Sequence, residues 1–284
     1  MNLCRFAASD ATPRVGLLID SSVVDLTPAG IDSISPLLDG PSPIARLAEL
    51  GRRSLPRFPR SDVRLLPPVE RQEIWAAGVT YLRSKAARME ESDFSARAYD
   101  HVYDAPRPEI FFKSMPDKVS GPGEPVGIRQ DARWNVPEPE LALVLNRRGE
   151  LVGYTIGNDM SSRDIEGENL LYLPQAKIYE RSCALGPVIA VGHTEADART
   201  WDIRIEIERS GNKVFSGETS VGRIKRTFGD LASWLFRSQQ FPNGAILLTG
   251  TGVVPPNEFT LEAADRVRIA IGPIGTLENP VARV

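Results

Sequence analysis

Histidine is nearly absent from this chain: His101 and His193 are the two copies in 284 residues. That scarcity excludes HExxH zinc sites and His-rich metal clusters. A Ser–His–Asp hydrolase would have to recruit one of the two, and there is no GxSxG elbow to go with it. Cysteine is as scarce. Cys4 and Cys183 make neither a disulfide framework nor a CxxC pair, which fits a reducing cytosol. No apolar run approaches the roughly 18 residues that span a bilayer. The opening MNLCRFAASDATPR lacks the basic and apolar regions of a secretory signal, so a cytoplasmic location is expected. No Lys/Arg block or basic stripe occurs and the formal net charge is −3, which argues against a nucleic-acid partner. Enzyme chemistry, if present, must run on carboxylates and lysines.

What is there reads as an α+β chain that is mainly β. Residues 1–68 are expected to form a small α/β N-terminal domain. RVGLLID and SSVVDL suggest a hairpin, and PIARLAELGRR suggests a helix opened by Pro43. A proline-punctuated stretch from Leu55 to Pro68 reads as a linker with a brief strand, DVRLL. From 69 to 284 strands dominate: EIWAAGVTY, EIFFKS, ELALVL, LVGYTIGND, LGPVIAVG, DIRIEIE, KVFSGE, AILLTGTGV and RVRIAIGPIGTL. Two helical stretches interrupt them, LRSKAARMEESDFSARAYDHV and IKRTFGDLASWLFRSQQ. Helices and strands do not alternate regularly, which argues against Rossmann and barrel folds. There is no internal repeat.

The segment WNVPEPELALVL carries the strongest site signal. Alternation along a strand puts Glu138 and Glu140 on one face, roughly 6–7 Å apart. Pro137 and Pro139 keep the backbone extended without donating, which suggests a sheet edge or entrance. If ELALVL pairs with LVGYTIGND through the turn at Asn146–Gly149, Asp159 arrives at the same end of the hairpin. Three carboxylates with open positions suit Mg²⁺, Mn²⁺ or Ca²⁺ rather than Zn²⁺. The plainer alternatives are a solvated strand end, and Asp159 as the cap of a following helix. The run SSRDIEGENLLYLPQAKIY adds Arg163, Asp164, Glu166, Glu168 and Lys177, charges that would ordinarily form a wet helical face. A lysine beside a metal has its ammonium form disfavoured, which would make Lys177 a usable base.

These segments together resemble the fumarylacetoacetate hydrolase family. The matching pieces are Gly78–Tyr81, the Phe-Phe-Lys ending at Lys113, Glu138–Glu140, Gly153–Asp164, Ala176–Lys177, Leu185–Pro187, Thr249–Gly252 and the closing GPIGTLENPV. They come in the family's order. The resemblance implies a mixed β-roll catalytic domain, Mg²⁺ held by Glu138, Glu140 and Asp159, Lys177 near the substrate and Thr251 on its carboxylate. It also implies a homodimer.

One departure bears on activity. Hydrolytic members carry a histidine three residues after the tyrosine of the first motif, where this chain has Ser84, and serine is no general base near neutral pH. The missing histidine, together with the SSRDIEGEN string, resembles the family's 2-keto-3-deoxy-pentonate dehydratase branch. The expectation is a metal-dependent lyase of pentose catabolism, acting through a metal-stabilised enolate with Lys177 as base. Arg83, Ser84, Lys85 and Thr251 are expected to orient the 2-oxo acid substrate. Acylpyruvate-type carbon–carbon hydrolysis, decarboxylation of a 2-oxo acid such as oxaloacetate, and a non-enzymatic binding module are the alternatives.

Overall fold

A computed structural model of the protein describes residues 1–82 and 102–284. One large sheet organises it. Its strands run in the order Arg57–Pro59, Ser22–Asp25, Pro13–Ile19, Asn2–Ala7, Cys183–Ala190, Leu151–Asp159, Pro139–Leu145, Ala245–Leu248, Glu73–Gly78 and Glu109–Ser114. Most neighbours are antiparallel. Ala245–Leu248 lies parallel to Glu73–Gly78. A second sheet stacks Asn212–Ser220, Asp202–Arg209, Arg266–Ile271, Gly275–Arg283 and Val126–Ile128. This is the mainly β, α+β architecture expected of the family fold.

The site depends on how the middle of the large sheet is buried. Pro139–Leu145 is buried along its whole length. Leu141 and Leu143 enter the core shared with Ile203, Ile205 and Ile269 of the second sheet. Ala142 and Val144 point the other way and share a core with Leu47 and Leu50 of the helix Pro43–Arg52. Both faces being covered explains why the strand reads as the unbroken apolar run LALVL instead of alternating. An edge position for this stretch, suggested by its prolines, is corrected here. The strand is interior, and Pro139 is tolerated because pairing with Ala245–Leu248 begins only at Ala142.

Residues 2–66 supply five strands that continue the same sheet, joined to it by pairing of Asn2 and Leu3 with Ala190 and Ile189. Among the described residues, no helix is long and apolar enough to cross a membrane. The helical stretch expected between Leu82 and Val102 lies almost wholly outside the described residues.

Candidate metal centre and active site

Strands Pro139–Leu145 and Leu151–Asp159 form an antiparallel hairpin in which Glu140 faces Gly157. Its turn is closed by Gly149 N donating to Asn146 O. At the far end the Asp159 N–H donates to the carbonyl of Glu138 at 2.9 Å. The hairpin therefore delivers Glu138, Glu140 and Asp159 to one place, with one ligand oxygen from each within 4.8 Å of the others. All three are nearly fully buried. Opposed oxygens around Mg²⁺ stand roughly 4.0–4.2 Å apart and around Ca²⁺ roughly 4.6–5.2 Å, so small side-chain adjustment closes the set on either ion. The donors are all oxygen, the chemistry that hard divalent cations select.

Asp159 does not cap the helix that follows; Ser162 occupies that position before Arg163–Glu168. Nor is that helix a wet face. Arg163 and Glu166 are buried, with the Arg163 guanidinium 5.4 Å from the Trp134 ring centre and its Nη1 3.4 Å from Glu138 Oε1.

Three carboxylates this close repel one another, and the surrounding groups hold them together. Lys177 ends the short helix Leu173–Lys177 and is completely buried. Its Nζ donates to Glu138 Oε2 at 2.7 Å, Asp159 Oδ2 at 3.1 Å and Ser161 Oγ at 2.5 Å. Glu140 accepts from the Gly250 N–H at 2.6 Å. Burial, followed by the charges of Asp159 and Glu138, nevertheless pushes the Glu140 carboxyl well above its ordinary range, against the pull of Lys177 and Gly250 N–H. A divalent cation is the natural relief for such a site. The two cysteines are no alternative nucleophiles, since burial pushes both thiols up to about 12.

The carboxylates line a small cavity with Ala77, Gly78, Val79, Phe111, Arg163, Gly250, Thr251 and Val254. Its volume is about 10 Å³, room for one water or ion. Thr251 reaches this wall, its hydroxyl donating to Val253 O at 3.0 Å. Arg83, Ser84 and Lys85 lie outside the described residues. Sequence reasoning assigned no role to Lys113, which is completely buried with its Nζ 2.5 Å from Asp159 Oδ1. The available signal was alternation in Glu109–Ser114, which puts Glu109, Phe111 and Lys113 on one face.

This architecture with a buried carboxylate trio defines a class. The family model for the fumarylacetoacetate (FAA) hydrolase C-terminal domain matches residues 73–282, and the chain belongs to the fumarylacetoacetate hydrolase family. Within it, the chain is 43% identical over 278 residues to the probable 2-keto-3-deoxyxylonate dehydratase of Haloferax volcanii, covering 93% of this chain and 94% of that protein. It is 40% identical over 232 residues to the 2-dehydro-3-deoxy-D-arabinonate dehydratase of Saccharolobus solfataricus, covering 81% and 78% respectively. Among solved structures it resembles 2-keto-3-deoxy-D-arabinonate dehydratase complexed with magnesium and 2,5-dioxopentanoate. That match has a TM-score of 0.84 and 34% identity over 100% of this chain and 99% of the other.

Proposed function

We propose that this chain is a Mg²⁺-dependent hydro-lyase that dehydrates a 2-keto-3-deoxypentonate to 2,5-dioxopentanoate. The observation that carries the reading is the convergence of Glu138, Glu140 and Asp159 on one buried cavity, with the Lys177 ammonium on two of them. Its support is the pair of relatives named for this dehydration and the related structure complexed with magnesium and 2,5-dioxopentanoate.

Glu138, Glu140 and Asp159 would hold the ion, with Mn²⁺ or Ca²⁺ as substitutes. When bound, such an ion supplies Lewis-acid polarisation of the 2-oxo group and stabilises negative charge developing beside it. Lys177 is the base we assign to the C3 proton, since its Nζ stands beside two of the carboxylates that would hold the ion. The C3–H electron pair forms C3=C4 as the C4–O bond breaks, and the hydroxyl leaves as water. Loss of a C5 proton with return of a proton to C3 moves the double bond to C4=C5, the enol of the C5 aldehyde, which takes a proton at C4 and releases its O–H proton to give 2,5-dioxopentanoate. Thr251, which lines the cavity, is assigned to the substrate carboxylate, and Arg83, Ser84 and Lys85 to orienting the rest. Phe111, Val79 and Val254 give the cavity apolar walls that limit water beside the reacting carbons.

A cytoplasmic homodimer serving pentose catabolism completes the proposal, on the chemistry of the substrate and the habit of the family. Light scattering on the purified protein tests the dimer against the 31.2 kDa of one chain.

The activity is tested by incubating the Mg²⁺-loaded protein with 2-keto-3-deoxy sugar acids and acylpyruvates and identifying products by mass. A five-carbon product lighter by one water is expected. Two carbon fragments, or release of CO₂ with no dehydrated product, would replace the reading with hydrolysis or decarboxylation.

A further inference from the structure

Lys113 is a buried cation for which the reaction has so far required nothing. It lies on Glu109–Ser114, the strand at one end of the large sheet, and is completely buried. Its ammonium contacts Asp159 Oδ1 at 2.5 Å, donates to Met160 O at 3.0 Å and donates to Lys177 O at 2.5 Å. One group thereby ties three segments together: its own strand, the end of Leu151–Asp159, and the last carbonyl of Leu173–Lys177. Two of its protons are held by backbone carbonyls and its charge faces Asp159, an arrangement that suits a fastening group.

We propose that Lys113 is a positioning residue for the dehydration, fixing Asp159 by one oxygen and Lys177 by its backbone carbonyl. The inference rests on the functional reading above. Two features of the geometry support it. A carboxylate turns through a broad, roughly two-fold torsion, and Asp159 has its oxygens divided, Oδ1 to Lys113 and Oδ2 to Lys177. The helix bearing Lys177 is five residues long, too short to hold its own shape in isolation, and Lys113 secures its final carbonyl. Metal affinity does not account for the residue. A further positive charge beside a divalent ion opposes binding, so its advantage must lie in geometry.

The test is a pair of variants, Lys113→Met and Lys113→Gln, each titrated with Mn²⁺ by electron spin resonance and assayed on 2-keto-3-deoxypentonate. Lys113→Met should bind Mn²⁺ at least as tightly as the wild type. Its kcat should fall about 100-fold, the cost of a misplaced catalytic group, with KM within about threefold. Lys113→Gln, which keeps amide donors for the carbonyls, should recover part of that loss. Wild-type turnover within threefold in Lys113→Met would overturn the assignment. So would Mn²⁺ binding, turnover and melting temperature falling together in both variants, including failure of both to fold, which would make Lys113 structural only. The wild-type assay run alongside tests the functional reading separately.

Discussion

Glu140 is where the two demands on this site conflict at the scale of one residue. In the fold its carboxyl is raised above the ordinary 4.5 by burial and by the neighbouring acids, so the folded chain favours its protonated form. That contribution to stability is complete below pH 4.5 and is lost as pH climbs through the raised value. Glu140→Gln, able to keep the acceptor for Gly250 N–H, should therefore melt higher than wild type in EDTA at neutral pH. The expected gain is roughly 2–4 °C for each kcal/mol of removed charge burial in a chain of this size. The advantage should shrink toward pH 4.5, while Mg²⁺, which stabilises the wild type, should leave the variant's melting curve unmoved. Lys177 shows the opposite dependence on metal. Lys177→Met strips Glu138 and Asp159 of their shared ammonium and should cost the metal-free protein about 3–5 kcal/mol. Mg²⁺ should restore most of that stability but not turnover, which should fall about 10²–10⁴-fold for loss of a general base. Differential scanning calorimetry with and without Mg²⁺ reads the first effect, and steady-state kinetics the second.

At the scale of the element, the hairpin is the device that builds the site, and it was largely legible in the sequence. Two apolar runs joined through Asn146–Gly149 fix the pairing, and alternation fixes which carboxylates meet. The closing loop contributes as much, less legibly. Gly250 has φ +88°, and a Cβ there would lie 2.2 Å from Thr80 Oγ1. Gly250→Ala should therefore shift the N–H that Glu140 accepts, lowering Mg²⁺ affinity about tenfold, the factor that altered support of a metal ligand commonly costs. Isothermal titration with Mg²⁺ measures it. Other parts of the site were hidden for a physical reason. Lys113 reaches backbone carbonyls 47 and 64 residues away, and no local period encodes such partners. Arg163 looked like a solvated charge because a helical pattern alone does not reveal that Trp134 and Glu138 lie against it.

Across the whole molecule, the N-terminal residues continue the sheet that carries the site. Leu3, Leu17, Leu47 and Leu50 are buried in one core with Ile74, Val144, Leu185 and Ile246. This continuity was not legible, since pairing of Asn2 with Ala190 is a long-range choice that composition and periodicity leave open. Burial of each such side chain is worth roughly 1.5–3 kcal/mol, and a domain's entire stability is about 5–15 kcal/mol. A chain cut to residues 69–284 should consequently lose its cooperative melting transition, as near-ultraviolet circular dichroism on heating would reveal.

Metal-dependent turnover at the three carboxylates is what the proposed dehydration most directly requires. Metal-stripped protein can be titrated with Mg²⁺ while water loss from 2-keto-3-deoxypentonate is followed by proton NMR, for the wild type and for Glu138→Gln. The wild type should be inactive without Mg²⁺ and reach full turnover as one ion per chain is taken up, and the variant should stay inactive throughout while folded. Undiminished turnover of the stripped wild type, or normal Mg²⁺ dependence in Glu138→Gln, would contradict it.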